Sequence, residues 1–311
     1  MRAIILGSSA GGGLPQWNCG CPRCASARAG DGDVRPRHQS SICVSADGER
    51  WVLFNASPDV RSQLAATPSL WPKSLRRSPL RAIALTNADI DHAAGLLVLR
   101  EGGAPAIYCT ARVEEALTEG LRILPVLGAY GDVHVRRVEP GERVAVCDRE
   151  GAPTGVSIRA FVVASKPAPY MAGRHREDPR GDLAGDTVGY AISADARPDE
   201  ALVYVPGVRD LDDALLRELS AARCVLIDGT FFTDDEMVAM GASTKTARVM
   251  GHAPLTGDGS LVRFLDGVRG PRKVLVHINN SNPALHDDGE ARALLRTHDI
   301  DLAHDGMELC W

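Results

Sequence analysis

Thr86-Asn87-Ala88-Asp89-Ile90-Asp91-His92, set between Ala82-Ile83-Ala84-Leu85 and Ala93-Ala94-Gly95-Leu96-Leu97-Val98-Leu99, decides how this chain is read. The apolar runs on either side make the segment a strand end, a short polar loop and a helix start. Polar side chains at such a junction converge on a cleft, and Asp91 and His92 are both residue types that ligate metals. The plain alternative is a helix N-terminus with Asp89 or Asp91 as its cap, and the segment alone leaves that open.

Working outward, short β-branched or apolar runs recur at 3–6, 42–44, 51–54, 82–85, 156–163, 188–192, 202–205, 224–227 and 273–276, and are expected to be strands. Helical patterns at 58–66, 92–100, 111–121, 211–221, 261–264 and 290–297 lie between several of them. Strands mixed with helices indicate a layered α/β protein. Ala46-Asp47-Gly48-Glu49 is a turn of Asp-Gly type between closely spaced strands, so mixed sheets are expected. The stretch 166–186, rich in Pro, Gly and both signs of charge, is expected to be a long loop serving as a lid or binding element. A single domain spanning 1–311 is expected.

Of the 311 residues, 44% are hydrophobic and 24% charged, as in a chain able to bury a large core. The net charge is −5 and no basic stripe is present, so a nucleic-acid partner held by phosphate contacts is not expected. Lys73-Ser74-Leu75-Arg76-Arg77 is short and reads as a solvated turn. No apolar run approaches the roughly 20 residues of a membrane span. Met1 to Gly7 reads as a strand rather than a signal segment, so a cytoplasmic protein is expected.

Cys43, Cys109, Cys147, Cys224 and Cys310 stand singly and read as small buried hydrophobes. Cys19-Gly20-Cys21-Pro22-Arg23-Cys24 differs, because three thiolates on one tight loop suit tetrahedral zinc with a fourth ligand from elsewhere. Clustered thiolates favour a closed structural site over a catalytic one, with three unligated thiols as the alternative. The glycines at 7 and 11–13 permit close backbone approach, but neither nucleotide-binding spacing is present. Downstream, Asp228 ends the run 224–227, His277 ends the run 273–276, and His252 lies in the loop-like Met250-Gly251-His252-Ala253-Pro254. A lone histidine is a weak signal. Beside Asp91 and His92, repeated polar endings of buried strands need a shared reason. His38, His134, His175, His286, His298 and His304 stay outside this site.

Together, residues 7–21, Gln39-Ser40-Ser41, the Asp91-His92 loop, 97–102, 250–252 and His277-Ile278-Asn279-Asn280-Ser281-Asn282-Pro283 resemble the coenzyme PQQ synthesis protein B family over essentially the whole chain. The Gly-rich to Cys-rich stretch is the specific part. The resemblance implies the metallo-β-lactamase-like αββα sandwich, two mixed sheets flanked by helices with metals at one sheet edge. It also implies a place in making pyrroloquinoline quinone (PQQ) from a cross-linked Glu-Tyr precursor. In that superfamily's His-x-His-x-Asp-His loop, the histidines of the first metal fall here on Asn87 and Asp89, and a third falls near Ser165. That site looks dismantled. The second set, Asp91, His92 and His277 with Asp228 at the bridging carboxylate and Asp89 beside them, remains whole.

Two histidines with one or two carboxylates and open positions are the ligand type of a mononuclear non-haem Fe(II) centre that activates O₂. A binuclear zinc hydrolase would need the missing imidazoles. The resemblance therefore implies Fe(II)-dependent hydroxylation of a tyrosyl ring with O₂ as cosubstrate, zinc remaining open as the loaded metal. On this view His252 takes a phenolic proton, and Ser165 and Lys166 contact a substrate carboxylate. An ordinary solvated lysine is the alternative for Lys166. Asn280 stands where a related cyclic-phosphodiesterase branch completes its cysteine site with a histidine, which leaves the fourth zinc ligand open. The implied partners are a small-molecule or dipeptide PQQ precursor, other proteins of that pathway and, as a homodimer, a second copy of the chain. A zinc-dependent hydrolase of the same fold and a soluble carrier of PQQ or its precursor towards the periplasm stay open as other functions.

Overall fold

Along β1 (Arg2–Gly7), Ala3 and Ile5 pack into one cluster of buried side chains while Ile4 and Leu6 pack into another. A strand buried on both faces belongs to an inner layer, which needs a covering layer on each side, here a sheet on one and helices on the other. The computed structural model, which describes residues 1–30, 32–101, 104–171 and 185–311, has that arrangement. Most of the expected lid, together with Gly102 and His175, lies outside the described residues.

Among the described residues the first sheet runs β14 (Glu308–Cys310), β1, β2 (Ser41–Ser45), β3 (Trp51–Phe54), β4 (Leu80–Ala84), β5 (Ala106–Cys109), β6 (Val135–Arg137). The second runs β13 (Ile300–Leu302), β12 (Arg272–Val276), β11 (Cys224–Asp228), β10 (Arg197–Val205), β9 (Val188–Ala194), β8 (Pro153–Val162), β7 (Arg143–Cys147). Both sheets are mixed. In the first, the pairs from β14 to β3 are antiparallel and those from β3 to β6 parallel. In the second, β10 to β13 pair in parallel and β7 to β10 antiparallel. The Asp-Gly turn joins β2 to β3, with Gly48 at φ 78° and Asp47 Oδ1 accepting from the Glu49 and Arg50 amides.

Between the sheets Phe54 meets Tyr190 and Tyr204 edge-on at 5.7 and 6.2 Å. Such pairs contribute about 0.5–1.5 kcal/mol beyond their burial. Outside the first sheet, Leu53, Ile83 and Ile107 pack with Val60, Val113 and Leu117 from helical segments. Outside the second, Val203, Val225 and Leu275 pack with Leu215, Leu219 and Leu295. Leu215 and Leu219 fall four residues apart on the helix Asp213–Ser220, whose start is capped by the Asp212 side chain accepting from the Leu215 amide. The layers are therefore αββα, as the resemblance implies.

Several elements depart from expectation. β5, β6, β7, β13 and β14 fall outside the expected runs, being short or interrupted by charge, so that no period accumulates. The helix expected over 92–100 is a four-residue turn, Ile90–Ala93, followed by a tighter 3₁₀ stretch, Ala94–Arg100. Gly95 lies so close to the Ala56-Ser57 backbone that a Cβ would come within 2.1 Å of Ser57 O, and its amide donates to Ala56 O at 2.9 Å. Cys147 is only half-buried and Cys310 is exposed, against the expectation of buried thiols, because each ends a strand. Among the described residues no helix is long and apolar enough to cross a membrane.

The parallel strands β4, β11 and β12 deliver their carboxyl ends to one rim, where α/β sheets place ligands. Asp228 pairs in register with Val276, so the next residue, His277, emerges beside it.

Candidate metal centre

β4 runs out at Ala84, and the polar loop turns at once into Ile90–Ala93. Asp89 occupies the cap position but its side chain makes no capping hydrogen bond, while Asp91 and His92 lie within the turn. Asp91 Oδ2 is 3.1 Å from His277 Nε2 and 3.9 Å from His92 Nε2. The His92 and His277 rings meet edge-on at 5.2 Å, and His252 stacks on His277 at 5.4 Å.

His277 adopts φ 58°, a left-handed conformation that costs glycine little and a residue with a Cβ roughly 1–2 kcal/mol. Its neighbours hold it there: the Ile278 amide donates to Ser8 O at 2.9 Å, the Ala10 amide to Ile278 O at 2.8 Å and the Asn279 amide to Thr230 O at 3.1 Å. The glycine-rich segment thus continues along His277. A Cβ on Gly11 would lie 3.1 Å from Asp91 Oδ2, so the close approach expected of these glycines is to a carboxylate.

Behind the imidazoles lies a set of polar side chains. His92 Nδ1 is 2.7 Å from Asn87 Oδ1, and Thr86 nearby is held by Asn55. His277 Nδ1 is 2.8 Å from Thr230 Oγ1, whose hydroxyl reaches Asp228 Oδ1 at 2.6 Å. Asp228 Oδ1 also accepts from the Thr230 amide, and Oδ2 from the Val208 amide and His252 Nδ1. Both Asp228 oxygens are therefore engaged. Thr230 was invisible in the sequence, its only signal being its place two residues beyond the end of a buried strand.

Burial pushes the His92 imidazole down to about 4, so it is neutral at pH 7. Burial and then the Asp91 charge push the Asp89 carboxyl up. Burial alone would raise Asp91, but His92 and His277 outweigh it and hold the carboxylate well below its usual range. The His277 imidazole, lowered by burial, is raised more strongly by Asp91 and Asp228. His92 Nε2 is buried and has no hydrogen-bond partner among the described residues. An orphaned buried acceptor costs about 1–3 kcal/mol. A cation beside Asp91 removes that cost, and ligand atoms of Asp91, His92 and His277 lie within 4.8 Å of one another. Ligand atoms of Asp228, His252 and His277 likewise lie within 4.8 Å of one another. The donor set fits a divalent metal.

Ser165 Oγ donates to Gly251 O at 3.3 Å, and the Lys166 stem lies against Gly251, next to His252. Tyr170 donates its hydroxyl proton to Ala88 O, tying the segment after Lys166 to the loop that carries Asp91 and His92, a contact no pattern in the sequence announces. The sulfurs of Cys19, Cys21 and Cys24 form a separate cluster within 4.8 Å. Cys24 is in the first turn of the helix Pro22–Ala29, and Asn280 reaches its sulfur at 3.2 Å while Asn280 O accepts from Arg23 Nε at 3.1 Å.

Residues 50–278 match the family described as the beta-lactamase superfamily domain. The chain is 45% identical over 314 residues to coenzyme PQQ synthesis protein B of Azoarcus sp. (strain BH72), covering 99% of each. Its identity to the protein of that name from Methylobacterium sp. (strain 4-46) is 44% over 311 residues, again covering 99% of each. The crystal structure of Zn²⁺-bound PqqB from Methylobacterium extorquens superposes with a TM-score of 0.88 at 40% identity over 100% of both chains. A diphosphatase from the PhnP family shares the fold, with a TM-score of 0.67 at 20% identity over 100% of this chain and 97% of that one. Identity of this order along nearly the full length, on the same fold, shows that the chain belongs to the coenzyme PQQ synthesis protein B family.

Proposed function

We propose that this chain acts in PQQ biosynthesis as a non-haem Fe(II)-dependent hydroxylase of the tyrosyl ring in a Glu-Tyr-derived intermediate. Family membership supports the pathway. The chemistry rests on one observation: two imidazoles and a carboxylate, from Asp91, His92 and His277, converge, while Asn87 and Ser165, which stand where a second metal would need imidazoles, are turned to His92 and to Gly251 O. When bound, iron would supply O₂ activation and the oxidation of the ring.

The protein's own part is binding, orientation and proton transfer. Asp91, His92 and His277 would hold the metal, with Asp89 and Asp228 close by. His252 donates from Nδ1 to Asp228, which leaves its other ring nitrogen an acceptor for a phenolic proton. Lys166 and Ser165, beside the same loop, would draw a substrate carboxylate to the rim. Cys19, Cys21 and Cys24, with Asn280 against them, would hold a structural zinc.

Anaerobic loading with Fe(II), followed by O₂, a Glu-Tyr peptide and a two-electron reductant such as ascorbate to carry the second oxygen atom to water, should give metal-dependent O₂ uptake and a hydroxylated product. Absence of that uptake overturns the hydroxylase. The zinc in the Methylobacterium extorquens relative favours a second reading, a zinc hydrolase. Two tightly held zincs beyond the cysteine site, with esterase or phosphodiesterase turnover, would establish it.

A further inference from the structure

An imidazole ligates a metal through the nitrogen that carries no proton, so something must hold the proton on the other nitrogen. For His92 that group can be identified from a donor whose role is fixed. The Asp89 backbone N–H can only donate, and it lies 3.1 Å from one terminal atom of the Asn87 amide, which is thereby the oxygen. The same oxygen is 2.7 Å from His92 Nδ1, so Nδ1 carries the proton and Nε2 the lone pair. Nε2 is also the ring atom left buried without a partner among the described residues.

For His277 the reasoning passes through Asp228. Its carboxylate takes the Val208 and Thr230 amides, the His252 ring and the Thr230 hydroxyl. That hydroxyl has two acceptors in reach, the charged Asp228 Oδ1 at 2.6 Å and His277 O at 2.9 Å, and its single proton goes to one of these, the nearer carboxylate being the stronger. Towards His277 Nδ1, at 2.8 Å, Thr230 Oγ1 can then only accept. The proton again belongs on Nδ1, and Nε2 faces Asp91 Oδ2 at 3.1 Å.

The geometry points to Asn87 and the Thr230–Asp228 pair as positioning residues that lock His92 and His277 in the Nδ1-protonated form, so that both Nε2 atoms serve one cation. This rests on the reading of Asp91, His92 and His277 as ligands. Asp228 then anchors an imidazole from behind instead of bridging two metals. At position 87, an imidazole would bind a second metal, whereas the amide turns its oxygen to the ligand of the first.

The test uses the full chain with the cysteine cluster intact and Co(II) as the probe, its affinity read by chelator competition in Asn87→Ala, Thr230→Val and Thr230→Ser. Nitrogen NMR reads the His92 tautomer in the metal-free parent and in Asn87→Ala. Binding should weaken about 10–100-fold in Asn87→Ala and Thr230→Val. Thr230→Ser, which keeps the hydroxyl, should bind like the parent, and His92 should lose its single tautomer in Asn87→Ala. Parental affinity in both Asn87→Ala and Thr230→Val, or an Nε2-protonated His92 in the parent, overturns the inference. Loss in Thr230→Ser equal to that in Thr230→Val, with unchanged circular dichroism, overturns the Thr230 half. A parent that binds Co(II) in this pattern yet never hydroxylates overturns only the proposed function; a parent that binds no Co(II) overturns both.

Discussion

His277 Nε2 lies 3.1 Å from Asp91 Oδ2 although 186 positions separate the two residues along the chain. Asp91 follows β4 of the first sheet and His277 follows β12 of the second, so any cation they share joins the two sheets.

Metal binding should therefore raise global stability. At a free concentration about 100 times Kd the gain is about 2.7 kcal/mol. Thermal unfolding with and without added Zn(II) or Fe(II) measures it, and His277→Ala should abolish the increment at the metal centre.

In cells, the double substitution His92→Ala, His277→Ala should stop PQQ production if the protein is catalytic. Undiminished cofactor output from a strain carrying only this variant would instead mark a carrier.

Gly11→Ala should weaken metal binding while leaving the fold intact. Its new methyl group would stand 3.1 Å from Asp91 Oδ2, so the carboxylate must shift by a few tenths of an ångström from its place beside His277. Calorimetric titration of the variant with Zn(II), beside a denaturation curve, separates the two effects.

A pH effect should arise at a histidine outside the candidate metal centre. His38 Nδ1 pairs with Asp305 at 2.9 Å, and this hydrogen bond raises the His38 imidazole above its ordinary value. Since the folded value exceeds the unfolded one, the contribution is fully present below about pH 6.5 and fades as pH rises through the folded value. With His38 partly exposed, the effect should stay within about 1 kcal/mol. Urea midpoints on either side of neutrality, compared between the parent and His38→Gln, should differ more on the acid side.

Much of the candidate centre was legible because its side chains punctuate apolar strands. Asp91, His92, Asp228 and His277 each interrupt or follow a run that nothing polar should end without reason. Thr230 and Tyr170 gave no such signal, since a hydroxyl after a glycine or in a Pro-rich stretch is commonplace until tertiary contacts are seen. The tightening of 94–100 escaped for the same reason: Gly95 meets the Ala56-Ser57 backbone only in the folded chain. The short outer strands β6 and β14 carry too few alternating positions for a period to register.

His277 faces Asp91 and Asn280 touches the cysteine cluster, so the two candidate centres are spaced by a single stretch of three peptide links. Asn279, Ser281 and Asn282 brace that stretch against Met237, Glu236 and the Gly229-Thr230 carbonyls. It works as a ruler. An inserted or deleted residue between 277 and 280 would displace one centre or the other whatever its chemistry, so here the number of residues constrains the protein more tightly than their identity.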